Sequence, residues 1–318
     1  MDNLTHSLAG ALLGQMGLKT KTGLAMPTMI IAANLPDIDA VAVLLDGHQH
    51  LAMRRGLTHG PIAMVLLPIL LWAAMLAWDK WRPNEKRLPV HKGWLLALAY
   101  IGTLSHPALD WLNSYGVRLL EPFSSQWFYG DSIFIIDIWM WAALIAGVWM
   151  SRRREKRGQI NWQKPAIIGF FALCSYIFAN GVITGQAEAE AHDQVVARYA
   201  PTASMPDPIV VANPVPIAFW QRDIVWRDGS DYGSGSYRLG SGVTLSRDVR
   251  PHNMDEGSRA VPFRVIANKG SDAAAFLFWS RMPVLEQNDT EIIIRDQRFM
   301  DPRVGDRFLV RIPVEPKP

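Results

Sequence analysis

Six ionisable residues of metal-ligand type lie in strongly hydrophobic segments of the chain. They are His6, Asp37, Asp39, His59, His106 and Asp110. An ionisable side chain at membrane depth costs a few kcal/mol or more, so it is rare and points to a functional site. Imidazole and carboxylate groups are the common ligands of zinc and similar divalent cations. The residues therefore predict a metal centre in a membrane protein, and hydrolysis is a natural use of such a centre.

The spacing of these residues indicates how they could meet. His106 and Asp110 are four residues apart, so on a helix they project from one face and can share an ion. Asp37 and Asp39 follow Pro36 and are separated by one residue. Carboxylates this close repel each other unless a cation or a proton lies between them. Either aspartate could instead cap a helix, so the pattern leaves open which one binds and whether both do.

The two other ligand candidates also have alternative interpretations. His59 follows Thr58 at a predicted helix start, where a capping threonine beside an interfacial histidine would give the same pattern. His6 lies in Thr5-His6-Ser7, which could be an N-cap cluster. The remaining histidines lie in polar or basic segments and are predicted to be outside the centre: His48, His50, His91, His192 and His252.

Composition limits the class of protein. The 318 residues include 49% hydrophobic and 19% charged residues, with a net charge of +3. The basic residues are concentrated in short loops beside apolar segments, which is typical of membrane proteins and gives no indication of nucleic-acid binding. The single cysteine, Cys174, excludes an intramolecular disulfide and a CxxC metal site.

Residues 1–185 predict a polytopic α-helical membrane domain. Four apolar segments approach the length of about 20 residues that a span needs: 60–78, 94–112, 131–150 and 165–185. Residues 4–18 are short for a span, and residues 23–45 are interrupted around Pro36. A broken helix at membrane depth is tolerated where it faces protein or water, so the coincidence of this break with two carboxylates is expected of a site.

Residues 186–318 are more polar and predict a small, mostly-β extracytoplasmic domain. Residues 186–200 are predicted to be helical. Turn-forming clusters at 227–236 and 247–258 are expected to separate strands. Runs rich in β-branched and aromatic residues predict the strands: 208–215, 222–228, 261–268, 274–284, 291–299 and 307–314.

The distribution of basic residues predicts the orientation. Loops 79–92 and 151–164 are basic and should be cytoplasmic. This orientation puts all six ligand candidates towards the outer membrane face and the C-terminal domain outside. Arg54 and Arg55 do not fit this rule. A guanidinium can bind phosphate and stabilise an anionic transition state, so a catalytic role is predicted for Arg55. The alternatives are that the two arginines contact lipid headgroups or are exceptions to the rule without a function.

Two further aspartates lie at the start of segment 131–150. Asp131 and Asp137 could each be an additional metal ligand or could orient a ligating histidine. The alternative for Asp131 is a helix N-cap.

The chain resembles a known family through a set of short motifs. These are TH-S near the start, NLPDID, RRGLTH, SHPALDWLNSYG and PFSSQWFYGDSIFIID, all within about the first 140 residues. In this combination they resemble bacterial inner-membrane proteins of the YdjM type, which are described as metal-dependent hydrolases. FWSRMPV and IRDQRFMDPR resemble the extended members of that family.

That family is considered distantly similar to zinc-dependent phospholipase C and P1 nuclease, which have an all-helical phosphodiesterase fold. The resemblance implies that His106 and Asp110 are an HxxxD zinc pair. It implies that Asp37 or Asp39 is paired with His59, and it makes His6 an early ligand. The apolar part of the chain, residues 1–185, lacks a later HxxxE pair, so one or two ions are expected, not three.

These observations predict a membrane-embedded metal-dependent hydrolase at the outer face of the inner membrane. The expected substrate is a phosphoester or a lipid-linked molecule, and the expected partners are membrane lipids. Asp39 is the predicted general base, with a second carboxylate as the alternative. Arg55 is the predicted anion-binding residue and zinc the predicted ion. The alternative is a non-catalytic metal-binding or sensing protein with a periplasmic interaction domain. A transporter is disfavoured because the candidates cluster at one face.

Overall fold

The chain forms two compact units. The computed structural model describes residues 1–44, 47–199, 207–228, 231–251, 266, 268, 270–287, 290–300 and 308–313. The N-terminal unit consists of Met1–Ala40 and Arg55–Gly181, and the C-terminal unit consists of Val41–Arg54 and Val182–Pro318.

The N-terminal unit is helical, and the C-terminal unit also contains helices. The α-helices are α1 Asn3–Gln15, α2 Ala25–Ala32, α3 Gln49–Met53, α4 Pro61–Trp81, α5 Lys92–Asp110, α6 Ile138–Lys156, α7 Lys164–Tyr199 and α8 Ser271–Trp279. Short 3-10 helices are Leu18–Thr20, Leu35–Leu44 and Gln297–Phe299. The helix predicted at 186–200 is the continuation of α7 to Tyr199.

Helix α2 packs against both α1 and α5. Two glycines permit this close approach, because a Cβ at Gly10 would lie 2.7 Å from the carbonyl oxygen of Met29, and one at Gly102 would lie 2.9 Å from the same oxygen. Gly10 is one turn after His6, and Gly102 is one turn before His106. The close packing around Met29 therefore brings together the helices that carry the two histidines.

The apolar helices match some of the predicted spans. Among the described residues, α4 and α7 are long and apolar enough to cross a membrane, which fits the predicted segments 60–78 and 165–185. Helix α2 and the 3-10 helix Leu35–Leu44 form a pair bent by 43°, either a broken span or a re-entrant loop. Helices α5 and α6 occupy most of segments 94–112 and 131–150 but are not among these candidates. The protein thus has two or three candidate spans in its described part, fewer than predicted.

The C-terminal unit contains two antiparallel sheets. In the first, β1 (Ile209–Pro214), β2 (Gln221–Arg227), β3 (Asp231–Arg238) and β4 (Gly242–Leu245) are neighbours in sequence order, and β5 (Arg250–Pro251) also pairs with β3. The second has the order β6 (Pro283–Gln287), β7 (Glu291–Asp296) and β8 (Leu309–Pro313). The predicted strands 208–215 and 222–228 are confirmed, as are 307–314 and the first part of 291–299.

Two predictions in this region were wrong. Residues 227–236 were predicted to be a turn cluster, but most of this run belongs to β3, where Gly233 lies against the Trp226 ring and a Cβ would be 2.5 Å from Cζ2. The predicted strand 274–284 is mostly α8, and only its last residues enter β6. The alanine run before Phe276 is a helix-forming sequence and explains this outcome. Of the predicted strand 261–268, residues 261–265 and 267 lie outside the described part.

Helix α3 packs on α8 within the C-terminal unit. The backbone N–H of His48 donates to Asp272 Oδ1 at 3.0 Å, and the side-chain amide of Gln49 donates through Nε2 to Ser271 Oγ at 3.3 Å. The His48 ring meets Phe276 edge-on, with ring centroids 5.8 Å apart. The segment between Asp39 and Arg55 in sequence therefore belongs mainly to the C-terminal unit.

Candidate metal centre

Four side chains of metal-ligand type converge in the N-terminal unit. One ligand atom from each of Asp37, His59, His106 and Asp110 lies within 4.8 Å of the others. All four residues are buried, and Asp37 is the most exposed at 8%. They come from the 3-10 helix after α2, from the loop before α4 and from the last turns of α5. Four of the six predicted ligands are thus brought together from segments far apart in sequence.

Asp110 is at the middle of this group. Its Oδ2 lies 3.2 Å from His59 Nε2 and 3.5 Å from His106 Nε2. His106 Nε2 is in turn 3.7 Å from Asp37 Oδ1. Asp110 is completely buried, so its charge needs compensation by cations or by hydrogen-bond donors.

The break after α2 orients His106. A continuous α-helix would bond the Ala33 carbonyl to the Asp37 amide, but that amide donates instead to Asn34 O at 3.2 Å. Pro36 has no N–H and disfavours helix at the residue before it. The Ala33 carbonyl is therefore left for His106 Nδ1, which lies 2.7 Å away. Because a carbonyl can only accept, Nδ1 carries the proton and Nε2 presents its lone pair towards the carboxylates.

A second chain of hydrogen bonds orients His59. Thr58 Oγ1 donates to Asp39 Oδ2 at 2.8 Å and lies 3.0 Å from His59 Nδ1. Since its proton goes to the carboxylate, the threonine oxygen accepts from Nδ1, and Nε2 is left unprotonated. Burial lowers the pKa of His59, although Asp110 opposes this effect. The neutral ring is the form that binds a metal ion.

Asp39 lies beside the group of four, on the far side of His59. Its Oδ2 accepts the backbone N–H of Arg55 at 2.7 Å, in addition to the Thr58 hydroxyl, and lies 3.6 Å from His59 Nδ1. Of the alternatives left open by sequence, this geometry puts Asp37 among the ligand atoms. Asp39 accepts a backbone N–H, as the helix-cap alternative expected, but this N–H belongs to a loop residue and not to a helix N-terminus.

His6 lies against the group without being one of the four. Its ring stacks on His106 with centroids 3.7 Å apart and an interplanar angle of 17°. Its Nε2 is 3.3 Å from Asp110 Oδ1, and neither ring nitrogen has a hydrogen-bond partner among the described residues. The cap of α1 is Asp2, so the alternative of an N-cap cluster at Thr5-His6-Ser7 is wrong. A ligand role for His6 stays a prediction.

Arg55 is held on the other oxygen of Asp110. Its Nη2 lies 3.1 Å from Asp110 Oδ1, which the α-amino group of Met1 also contacts. Its Nη1 donates to Asn113 Oδ1 at 3.0 Å and to the Gly116 carbonyl at 3.3 Å. Arg55 is only 3% exposed.

Asn113 is a residue of the site that sequence reasoning missed. Its Nδ2 donates to the Asp110 carbonyl at 2.9 Å, while its Oδ1 accepts from Arg55 and from the Tyr115 amide. It follows the HxxxD pair by three residues, within the motif SHPALDWLNSYG. Its position three residues after Asp110, a predicted ligand, could have indicated that Asn113 belongs to the site.

Asp131 and Asp137 are not part of the group of four. Asp137 caps α6 by accepting the amides of Trp139 and Met140 at 2.9 and 2.8 Å, and it accepts the Tyr176 hydroxyl at 2.9 Å. The alternative of a helix N-cap at Asp131 is therefore wrong, because α6 begins at Ile138 and its cap is Asp137.

The histidines predicted to lie outside the centre have other contacts where the structure describes them. His91 caps α5 by accepting the Trp94 amide at 3.1 Å, and His192 lies 2.9 Å from Asp207 Oδ1. His50 Nδ1 lies 3.2 Å from the Gly47 carbonyl, and His48 packs on α8. His252 lies outside the described residues.

The donor set fits a divalent transition metal. Two imidazoles and two carboxylates are typical ligands of zinc, and both rings are fixed by a hydrogen bond on Nδ1, as ligating histidines usually are. His106 Nε2 has no hydrogen-bond partner in the described part of the chain, although the residue is fully buried. An ion at this position would complete the coordination of that nitrogen.

A family model gives an independent indication of what the protein is. The model for the YdjM inner membrane protein matches residues 1–187. The chain belongs to the YdjM inner membrane protein family. The matched part contains the whole of the metal-ligand group and both candidate spans α4 and α7 as far as residue 187. Searches of the curated proteins and of the solved structures found no match. The resemblance inferred from the motifs is thus confirmed, and the protein is a YdjM-family membrane protein with a possible metal site.

Proposed function

We propose that this protein is a metal-dependent hydrolase of the inner membrane, acting on a phosphoester or lipid-linked substrate. The observation that carries the proposal is the group Asp37, His59, His106 and Asp110, buried and within 4.8 Å. Its two imidazoles are turned by their Nδ1 partners so that each Nε2 faces carboxylate oxygen. Buried ligand-type residues held this way are typical of a metal centre more than of helix packing.

The chemistry follows from the residues around that group. A bound zinc ion would supply Lewis acidity towards a phosphoryl or acyl oxygen and would make a water acidic near neutral pH. Asp39 is the proposed proton acceptor, because it is less buried than the four and lies next to His59 through Thr58. The hydroxyl of Thr58 and the amide of Arg55 hold its carboxylate in one orientation.

Apolar side chains next to the ligands fit a lipid substrate. Ile38 follows Asp37 in sequence and is 52% exposed, and Leu57 comes two residues before His59 and is 64% exposed. Exposed apolar residues adjoining a polar centre suit a molecule with an acyl or prenyl chain and a phosphate group.

The basic loops support the proposed location. Residues 79–92 and 151–164 would lie in the cytoplasm, with the protein crossing the membrane several times, and the centre and the C-terminal unit would face the outside. A centre at the outer interface could reach lipid headgroups without taking the substrate across the bilayer.

The proposal is tested on the full-length protein purified in detergent. Its zinc content is measured. Its hydrolysis of three substrates is assayed separately: a water-soluble phosphodiester, a diacyl phospholipid and a prenyl diphosphate. We expect turnover that a chelator abolishes and added zinc restores. Turnover should be lost in His106→Ala and Asp110→Asn but kept in the control His192→Ala. Bound metal without turnover on any of these substrates would contradict hydrolysis and support a metal-binding sensor. Wild type without bound metal would overturn both.

A further inference from the structure

The two carboxylate oxygens of Asp110 face different chemical groups. Oδ2 lies 3.2 Å from His59 Nε2 and 3.5 Å from His106 Nε2, on the side of the group of four. Oδ1 lies 3.1 Å from Arg55 Nη2 and 3.3 Å from His6 Nε2, and the α-amino group of Met1 also contacts it. A carboxylate in this central position could bridge two ions if both oxygens were open to metal.

A guanidinium occupies the place that a second ion would need. In two-metal centres the ions are about 3.5–4 Å apart, so a bridging carboxylate directs one oxygen to each. Here the second oxygen is bound by the Met1 α-amino group and by the Arg55 guanidinium, a group that stays charged in proteins. A second dication beside this group would be repelled and would have to displace it.

Arg55 is held too firmly to move aside. Its Nη1 is bound by Asn113 Oδ1 and by the Gly116 carbonyl, and its guanidinium carbon lies 4.8 Å from the centre of the Tyr115 ring. Its backbone has a φ of 53°, a left-handed conformation that is uncommon for a residue with a long side chain. The amide is tied to Asp39 Oδ2 at the same time. Backbone and side chain are thus fixed together.

We propose that Arg55 is a positioning residue that limits the centre to a single ion, by reserving Asp110 Oδ1 and leaving Oδ2 for the metal. This inference rests on the proposed metal centre. It differs from the sequence-based role of Arg55, since the guanidinium acts on a ligand and not on the substrate. Asn113 serves the same purpose by holding Arg55.

The first test uses wild-type protein, so it does not depend on the folding of a variant. Detergent-purified full-length protein is stripped of metal and titrated with Mn²⁺ to saturation, and bound ions are counted and examined by electron paramagnetic resonance. We expect one ion per chain with the signal of an isolated Mn²⁺. Two ions per chain with an exchange-coupled signal would overturn the inference while leaving the proposed function intact. No bound ion would overturn the metal centre itself.

The second test removes the guanidinium. Arg55→Met should take up a second equivalent of Mn²⁺, because it removes the guanidinium from Asp110 Oδ1, which then keeps its contacts with the Met1 α-amino group and His6 Nε2. Arg55→Lys should remain at one because the charge is kept. Arg152→Met, at an exposed arginine of α6, is the control for loss of a charge. Folding is checked by thermal unfolding. A folded Arg55→Met protein that still binds a single ion would show that something other than Arg55 sets the number.

Discussion

His106 Nδ1 lies 2.7 Å from the carbonyl oxygen of Ala33, the C-cap residue of helix α2. In an uninterrupted helix that carbonyl would be satisfied by an amide four residues later. The interruption at Pro36 therefore has a chemical consequence as well as a geometric one: it supplies the acceptor that fixes the ring of a proposed metal ligand.

Replacing Pro36 with alanine should weaken metal binding without weakening the fold. Alanine restores an N–H and permits α-helix, so the Asp37 amide can recapture the Ala33 carbonyl. Loss of a partner that orients a ligand typically lowers metal affinity by about 10–100-fold. Zinc affinity is measured by competition with a chromophoric chelator, and thermal unfolding is followed in parallel.

Pro27→Ala is the matched control, because Pro27 is an exposed proline in the first turn of α2. Its affinity should equal that of wild type. If Pro36→Ala also bound zinc like wild type, the Ala33 carbonyl would have no role in orienting His106.

Removing the Thr58 hydroxyl should have a similar effect on His59. Thr58→Val keeps the shape of the side chain but removes both the donor to Asp39 Oδ2 and the acceptor for His59 Nδ1. We expect zinc affinity to fall by about 10–100-fold. Thr58→Ser keeps the hydroxyl and should remain close to wild type. Equal affinities for the valine and serine variants would exclude this hydrogen-bond chain as a determinant of binding.

A methyl group at Gly102 should separate helices that the centre needs close together. Its Cβ would lie 2.6 Å from Ala32 Cβ and 2.9 Å from Met29 O, so Gly102→Ala should lower stability by about 1–3 kcal/mol. It should also weaken metal binding, because His106 is one turn away. At Gly181 no atom lies within 4 Å of an added Cβ. Gly181→Ala should therefore leave stability unchanged or raise it, and a drop there as large as that of Gly102→Ala would refute the steric argument.

Acid should destabilise the C-terminal unit through Asp296. Burial alone would raise the pKa of Asp296, but the Arg298 guanidinium, whose Nε and Nη2 lie 2.9 and 2.8 Å from its oxygens, holds it below its usual value. A carboxyl whose pKa is lower when folded stabilises the fold above its unfolded pKa of about 3.9. That contribution is lost as the pH falls through the lowered value. Thermal unfolding measured from pH 7 downwards should show it.

Asp296→Asn isolates this contribution. At pH 7 it leaves the buried Arg298 without its charged partner and should destabilise the protein by about 3–5 kcal/mol, a difference that shrinks in acid as wild-type Asp296 is protonated. Asp248→Asn breaks the exposed pair with Arg250 and should have little effect at any pH. A constant difference between wild type and Asp296→Asn down to acid pH would contradict the assignment.

The parts of the site that could be predicted are those with a sequence pattern. His106 and Asp110 have helical spacing in an apolar segment, and Pro36 marked the break beside Asp37. The pattern could not decide between Asp37 and Asp39, because the choice depends on where the Arg55 amide lies in space. The Ala33 carbonyl could not be predicted at all, since every residue has a carbonyl and only the fold determines which one is left without an amide partner.

The same distinction applies to the C-terminal unit. Strands with β-branched residues, such as β1 and β7, follow their composition, whereas β3 resembles a turn in sequence. Gly233 and Gly235 are required there because neighbouring side chains and backbone lie over them, with Trp226 and Leu245 within 3.1 Å of an added Cβ. A glycine that makes room for a neighbour and a glycine that turns the chain are indistinguishable in one sequence.

The packing of α3 on α8 bears on the order in which the protein matures. The hydrogen bond from His48 to Asp272 joins residues 224 positions apart, so the ribosome must make most of the chain before that bond can form. Until then, the segment that leads from Asp39 to Arg55 has no surface from α8 to pack against. We expect a nascent chain to insert its apolar helices first and to form the contact between Asp39 and the Arg55 amide late. The proposed metal centre would then be completed only near the end of synthesis.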